Sequence, residues 1–398
     1  MRWVATESRL PSTTISGDIR CRRMGRPRQH GGGAVILFSM GLPGSFSRWC
    51  DAVLVQLAGL NGEPVAKTTW PPLNEMLAFG GVSSTLDGVA RALIGSDAQH
   101  VVLGARLPDE RLRAALTSRD VPFLIGLDDP RNAVADILAE NAVAPPLVTR
   151  AVANSCPLVL RYTELPGALT VNAERAALDP AATVAAIAAH FGIAAAPDAV
   201  AGIVDSLAAQ EPWATTGAAR DWASRVPADY RNTIDGALFG YGECFVGRPL
   251  DQLIWTRDLF YLADPALSSL AVPLDAAGGN RIVTYGPYIQ LPAGSWAVRV
   301  LLGFSAEAAG YSFMVDAFNG TLLASTTFQP HHAGAYAADL NFSIADPGGL
   351  GLEVRIFVGS DDARGQLAFG QVVLKSISSR HDGTAAVAGS DFTSVLGI

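Results

Sequence analysis

The apolar residues of this chain change their period once, and that change limits the possible folds more than any other feature. From Ala34 to about Pro265, short apolar runs alternate with longer stretches of helical spacing; from Gly279 onward, apolar residues recur at every second position. The runs AVILF (34–38), HVVLG (100–104), VPFLIG (121–126) and PLVLRY (157–162) are nearly unbroken, as strands covered on both faces of a parallel sheet are. Around them, helical spacing is expected over Phe46–Leu60, Leu86–Ile94, Pro108–Ser118, Pro130–Leu138, Pro180–His190 and Asp198–Ala209. Several of these open on Asp or Pro, which suit a first helical turn. Such a series predicts an α/β fold with a parallel sheet.

In the second part, Trp296, Val298, Val300, Leu302 and Phe304 alternate with smaller or polar residues, and Leu352, Val354, Ile356 and Val358 do the same. With turn signals at 292–294, 319–320 and 346–349, this pattern predicts an all-β sandwich of about seven or eight strands. The boundary is expected near the AAGG run at 276–279, which places an α/β domain over 34–270, a β-sandwich over 279–378 and a tail over 379–398.

Composition narrows the function. Of 398 residues, 49% are hydrophobic and 17% charged, too apolar for extensive disorder. A net charge of −8 argues against a general nucleic-acid binder, which needs basic surface to displace counterions. The first 33 residues hold seven arginines against Glu7 and Asp18 and no apolar segment, so they predict a disordered basic extension rather than a secretory signal. No apolar run reaches the roughly 18 residues of a membrane span. Cys21, Cys50, Cys156 and Cys244 form no CxxC pair, which fits reduced thiols in a cytoplasmic protein. His331 and His332 are the only adjacent histidines and have no partner at ligand spacing, so no metal is expected.

The first strand leads into SMGLPGSFSRW (39–49) and then a helix. A strand, turn and helix in this order point backbone N–H groups and a positive helix end at whatever lies above, so the turn either cradles an anion or is merely tight. It is not a triphosphate-binding GxxxxGK[ST] loop, because it has no lysine. Lys67 and Lys375 are the only lysines among the 29 basic residues.

The loop resembles the 5′-phosphosulfate loop of sulfotransferases, roughly P-[RK]-S-G-T-[TS]-[WL], aligned on Pro43, Ser45, Ser47 and Trp49. Downstream, FLIGLDDPRNAVADIL (123–138) is similar to the family's second nucleotide motif at Asp129, Pro130 and Arg131. A third run, LVLRYTELPG (158–167) followed by DPAATVAAIAAHFGI (179–193), matches at Tyr162, Glu164, Leu165, Asp179, Pro180, Phe191, Gly192 and Ile193. The resemblance covers about residues 34–265. It implies a P-loop-type domain that binds 3′-phosphoadenosine 5′-phosphosulfate as co-substrate and passes its sulfuryl group to a hydroxyl or amine. Gly41, Pro43, Gly44, Ser45, Phe46, Ser47, Arg48, Trp49 and Arg131 would hold the donor, with Arg48 supplying the missing loop cation and Glu75 standing where some members place their base.

The sequence departs from the family at costly places. The family's loop cation falls on Gly44, its 3′-phosphate arginine on Asp128, the serine closing the second motif on Asp136, and the base segment after a strand on Arg106, which cannot accept a proton at neutral pH. Toward the C-terminus, TYGPYIQLPAGSWAVRV (284–300) resembles a motif of carbohydrate-binding, jelly-roll-like modules attached to bacterial polysaccharide-building enzymes. Tyr285 and Tyr288 would stack on sugar faces, unless the sandwich merely packs against the first domain. Two readings follow. One is a sulfotransferase acting on a glycan; the other is a catalytically silent relative that binds carbohydrate or a partner in polysaccharide assembly.

Overall fold

The computed structural model describes residues 35–69, 100–106, 110–119, 121–209, 221–263, 273–345 and 350–377. The basic extension, Glu75, the expected helix at 86–94 and the C-terminal tail lie outside them.

The first half is a parallel sheet with helices on both faces. Its elements are β1 (Val35–Gly41), α1 (Ser45–Ala58), β2 (Val65–Thr69), β3 (His100–Ala105), α2 (Glu110–Arg119), β4 (Phe123–Leu127), α3 (Pro130–Glu140), α4 (Pro145–Thr163) and β5 (Ala168–Asn172). The short α5 (Ala173–Leu178) and then α6 (Pro180–His190), α7 (Pro197–Ala208) and α8 (Arg231–Phe245) follow. The strand order is β2-β3-β1-β4-β5, parallel throughout. The chain fills one side of β1 and then the other, so the C-terminal end of β1 is the point where strand order reverses, the usual position of a ligand crevice in such sheets.

Alternation along β1 sends Leu37 to one core, with Trp49, Val53 and Leu54 of α1, Val184 and Ile187 of α6 and Ile203 of α7. Phe38 and Met40 join the other core, built on α3, α4 and α8, and this core continues without a break into the β-rich half.

The expected strand at 157–162 is instead the last part of α4. Val148, Val152, Cys156, Val159 and Tyr162 are all buried, a spacing of three and four that fits one helix face. Pro157 sits inside this 19-residue helix; it removes one backbone hydrogen bond, which packing offsets. The strand beside β4 is β5, with only Val171 buried.

The β-rich half comprises β6 (Gln252–Thr256), β7 (Tyr261–Leu262), β8 (Leu274–Asp275), β9 (Arg281–Tyr285), β10 (Pro287–Ile289), β11 (Gly294–Phe304), β12 (Phe313–Phe318), β13 (Leu322–Phe328), β14 (Gly334–Ile344), β15 (Leu352–Val358) and β16 (Gln366–Ile377). Two antiparallel sheets result: β14-β11-β16-β6 with β8 on β16, and β13-β12-β15-β9-β7 with β10 on β15. They meet through Phe304 and Phe313, whose ring centres are 4.5 Å apart, and through Phe260 and Phe369 at 4.6 Å. Trp255 and Trp296 are fully enclosed there; burying about 150–250 Å² each contributes roughly 4–6 kcal/mol.

The change of sheet falls earlier than residues 276–279. Leu253 of β6 pairs with Leu374 of β16, and Tyr261 of β7 pairs with Tyr285 of β9. α8 covers the free edge of β6 at close range, because a side-chain carbon on Gly236 or Gly240 would lie 2.7 or 2.5 Å from the Ile254 or Gln252 carbonyl oxygen. No helix among the described residues is long and apolar enough to cross a membrane.

Candidate functional site

The turn after β1 lies at this switch point in strand order. Gly44 is the N-cap of α1 at φ 142°, a conformation that suits glycine, and no side chain caps the helix. Arg48 N–H donates to the Gly44 carbonyl at 3.2 Å, so the amides of residues 45–47 belong to the open end of the helix. The Ser47 hydroxyl is buried and donates to the Leu42 carbonyl at 2.5 Å, which closes the turn on itself. Phe46 and Trp49 are buried beneath it and stack with ring centres 5.8 Å apart. Their side chains are core, not lining. Gly41, Pro43 and the backbone of Ser45 complete the turn.

The expected cations are engaged by acids. Arg48 is exposed and pairs with Glu140 at 2.7 Å. Arg131 turns toward α8: its guanidinium is held by both Asp129 oxygens at 2.7–3.1 Å and by Asp235 at 2.5 Å, and lies over the rings of Trp222 and Phe239. Burial opposes its charge, but the Asp129 and Asp235 carboxylates outweigh that and raise its pKa. Arg106 donates to the buried Asp51 of α1 and, at 3.1 Å, to the Ser47 carbonyl. Lys67 reaches the same Asp51 oxygen at 3.3 Å. The Cys50 thiol next to it is pushed up by burial and then by Asp51, which keeps it protonated.

Two acids sit where the resemblance expects the 3′-phosphate arginine and the serine that closes the second motif. Asp128 Oδ1 accepts from the Asp129 amide at 2.8 Å and from Asn132 at 3.2 Å. Asp136 is buried and pairs with Arg225, and a side-chain carbon on Gly44 would lie 2.9 Å from its Oδ2. Among the described residues the side chains therefore do not fit a 3′-phosphorylated nucleotide: Gly44 puts no cation in the turn, the neighbouring Arg48 and Arg106 pair with Glu140 and Asp51, and the Asp136 carboxylate occupies the flank of the turn. No group of three or more His, Cys, Asp or Glu side chains suited to a metal ion occurs among the described residues.

A second constellation lies on the β-rich half. Tyr261, Tyr285 and Tyr288 form a triangle with ring centres 5.8, 5.9 and 6.5 Å apart. Tyr288 is 39% exposed. At φ 63° it is the one non-glycine residue with positive φ among those described, a costly conformation for so large a side chain. Its hydroxyl hydrogen-bonds Glu353, and burial followed by that carboxylate pushes its pKa up to about 12. Beside Glu353, Arg355 grips Asp316 with two bonds of 2.8 and 2.7 Å. The loop is anchored from the helical layer: Asn154 of α4 accepts from the Gln290 amide at 2.7 Å, and the Tyr241 hydroxyl of α8 donates to the Gln290 carbonyl at 3.2 Å. The sequence singled out Tyr285 and Tyr288 but missed Tyr261, Glu353 and Arg150. Arg150 is buried on α4 but two residues from Val148, on the side of the helix away from the apolar stripe, where no spacing pattern marks it.

No family model matches the chain, and no curated protein matches it. Among solved structures, mouse sulfotransferase SULT7A1 complexed with PAP is similar over 54% of this chain and 88% of that one, at 14% identity and a TM-score of 0.39. An arabinose-bound MgGH51 α-L-arabinofuranosidase is similar over 25% of this chain and 18% of that one, at 12% identity and a TM-score of 0.20. Both likenesses are distant.

Proposed function

We propose that this protein is a glycan-binding protein on a sulfotransferase-like α/β frame whose donor site is closed by its own carboxylates. The observation that carries the binding half is the tyrosine triangle, where a strained backbone holds Tyr288 outward beside two further rings and a carboxylate. Aromatic faces take the apolar C–H patches of sugars, and a carboxylate accepts from sugar hydroxyls. The silent half is supported by Asp128 and Asp136. Asp136 already takes the Arg225 guanidinium, and Asp128 puts a carboxylate where the family pattern puts an arginine, so neither position offers a phosphate a cation.

An oligosaccharide array probed with the full chain tests the binding half. Signals on a subset of glycans, lost in Tyr288→Ala and Tyr285→Ala, are expected; a blank array, or signals unchanged in both variants, overturns it. One observation favours an active sulfotransferase: α1 has neither a side-chain cap nor an acidic first turn, so its terminal amides remain suited to an anion. Transfer of labelled sulfate to any acceptor glycan by the wild-type chain would decide for that reading.

A further inference from the structure

Arg150 is a buried cation that meets no acid among the described residues. It is 8% exposed, makes one hydrogen bond, from Nη1 to the Leu259 carbonyl at 2.8 Å, and lies 4.4 Å over the Tyr261 ring. Arg106, Arg131, Arg225 and Arg355 each hold a carboxylate. No carboxylate among the described residues meets Arg150, and its pKa is lowered by burial. A buried charge is costly unless paired, and this one lies against the tyrosine triangle. We infer that the triangle takes an acidic sugar, with the pyranose ring on Tyr261, Tyr285 and Tyr288 and a carboxylate or sulfate group of the ligand reaching the Arg150 guanidinium. This rests on the glycan reading proposed above.

The charges around the triangle also orient the ligand. Arg150 adjoins Tyr261 at one corner, while Glu353 hydrogen-bonds Tyr288 at another. The acidic group belongs at the Tyr261 corner, where the guanidinium fork matches a planar or tetrahedral oxyanion. Sugar hydroxyls belong at the Tyr288 corner, where a second anion would be repelled.

Calorimetry on the full chain tests this with three probes of equal length: a neutral chitin hexasaccharide, a galacturonate hexasaccharide and a κ-carrageenan hexasaccharide. At least tenfold tighter binding of one or both acidic probes is expected, and the arm that responds tells carboxylate from sulfate. That preference should shrink as sodium chloride rises from 50 to 500 mM. Arg150→Met should bring the acidic probes down to the neutral level, and Arg150→Lys should restore part of the preference. Equal binding of all three probes by the wild type, or a preference that survives Arg150→Met, overturns the acidic-ligand inference alone. Binding of none of them also overturns the acidic-ligand inference, while the glycan reading falls only if the oligosaccharide array is blank as well. Should both variants fail to fold, the wild-type probe ratio and its salt dependence still decide.

Discussion

The Asp136 carboxylate lies where a side chain at residue 44 would begin, 2.9 Å from the first carbon that any larger residue would add. Gly44 is thus fixed twice, by its backbone at φ 142° and by the acid that Arg225 holds beside it. Gly44→Ala is expected to lose about 1–3 kcal/mol through backbone strain alone. Asp136→Asn, which leaves a partly exposed Arg225 without its carboxylate, is expected to lose a similar amount, about 1–3 kcal/mol, less than for a fully buried pair. Urea unfolding midpoints measure both; an unchanged midpoint in Gly44→Ala would show that the loop is not constrained as described.

Tyr288 separates stability from binding. Glycine relieves the cost of φ 63°, about 1–3 kcal/mol, against an entropic penalty of about 0.5–1 kcal/mol. Loss of the contacts to Tyr261, Tyr285 and Glu353 offsets that relief, so Tyr288→Gly should fold within about 1–2 kcal/mol of the wild type while losing glycan binding, a trade expected where strain serves a site. A fall in thermal midpoint beyond that range would mean that the ring serves packing rather than display.

The Glu353 carboxyl is held above the usual 4.5 by burial, with Asp316 adding to the rise and Arg355 opposing it. A carboxyl raised in the folded state stabilises the fold while protonated, fully below about pH 4.5, and that contribution is lost as pH climbs through the raised value. Glu353→Gln should accordingly match or exceed wild-type stability at pH 7, with any advantage narrowing toward pH 4. Denaturant titrations at the two pH values read this directly, and the opposite ordering would contradict the assigned cause.

The parts of the fold legible in the sequence are those whose burial is uniform. β1, β3 and β4, covered on both faces, read as unbroken apolar runs, and α6 was placed to the residue by Asp179 and Pro180 at its start. The edge strands β2 and β5 escaped because VAKTT and ALTVN are half solvated and carry no such run. β6 escaped because its partner β16 comes much later in the chain, and β7 because two residues are too few to show a period. In the loop, the turn and helix start were readable, but the neutralisation was not: Arg225 lies 89 residues from Asp136, and Arg106 lies 55 from Asp51. No local pattern announces such pairs.

Titration calorimetry with adenosine 3′,5′-bisphosphate, on the wild type and on an Asp128→Arg, Asp136→Ser double variant, tests the closed donor site most directly. The account predicts no saturable heat from the wild type at millimolar ligand and measurable binding once the two acids become the arginine and serine of the family pattern. Micromolar binding by the wild type would contradict it.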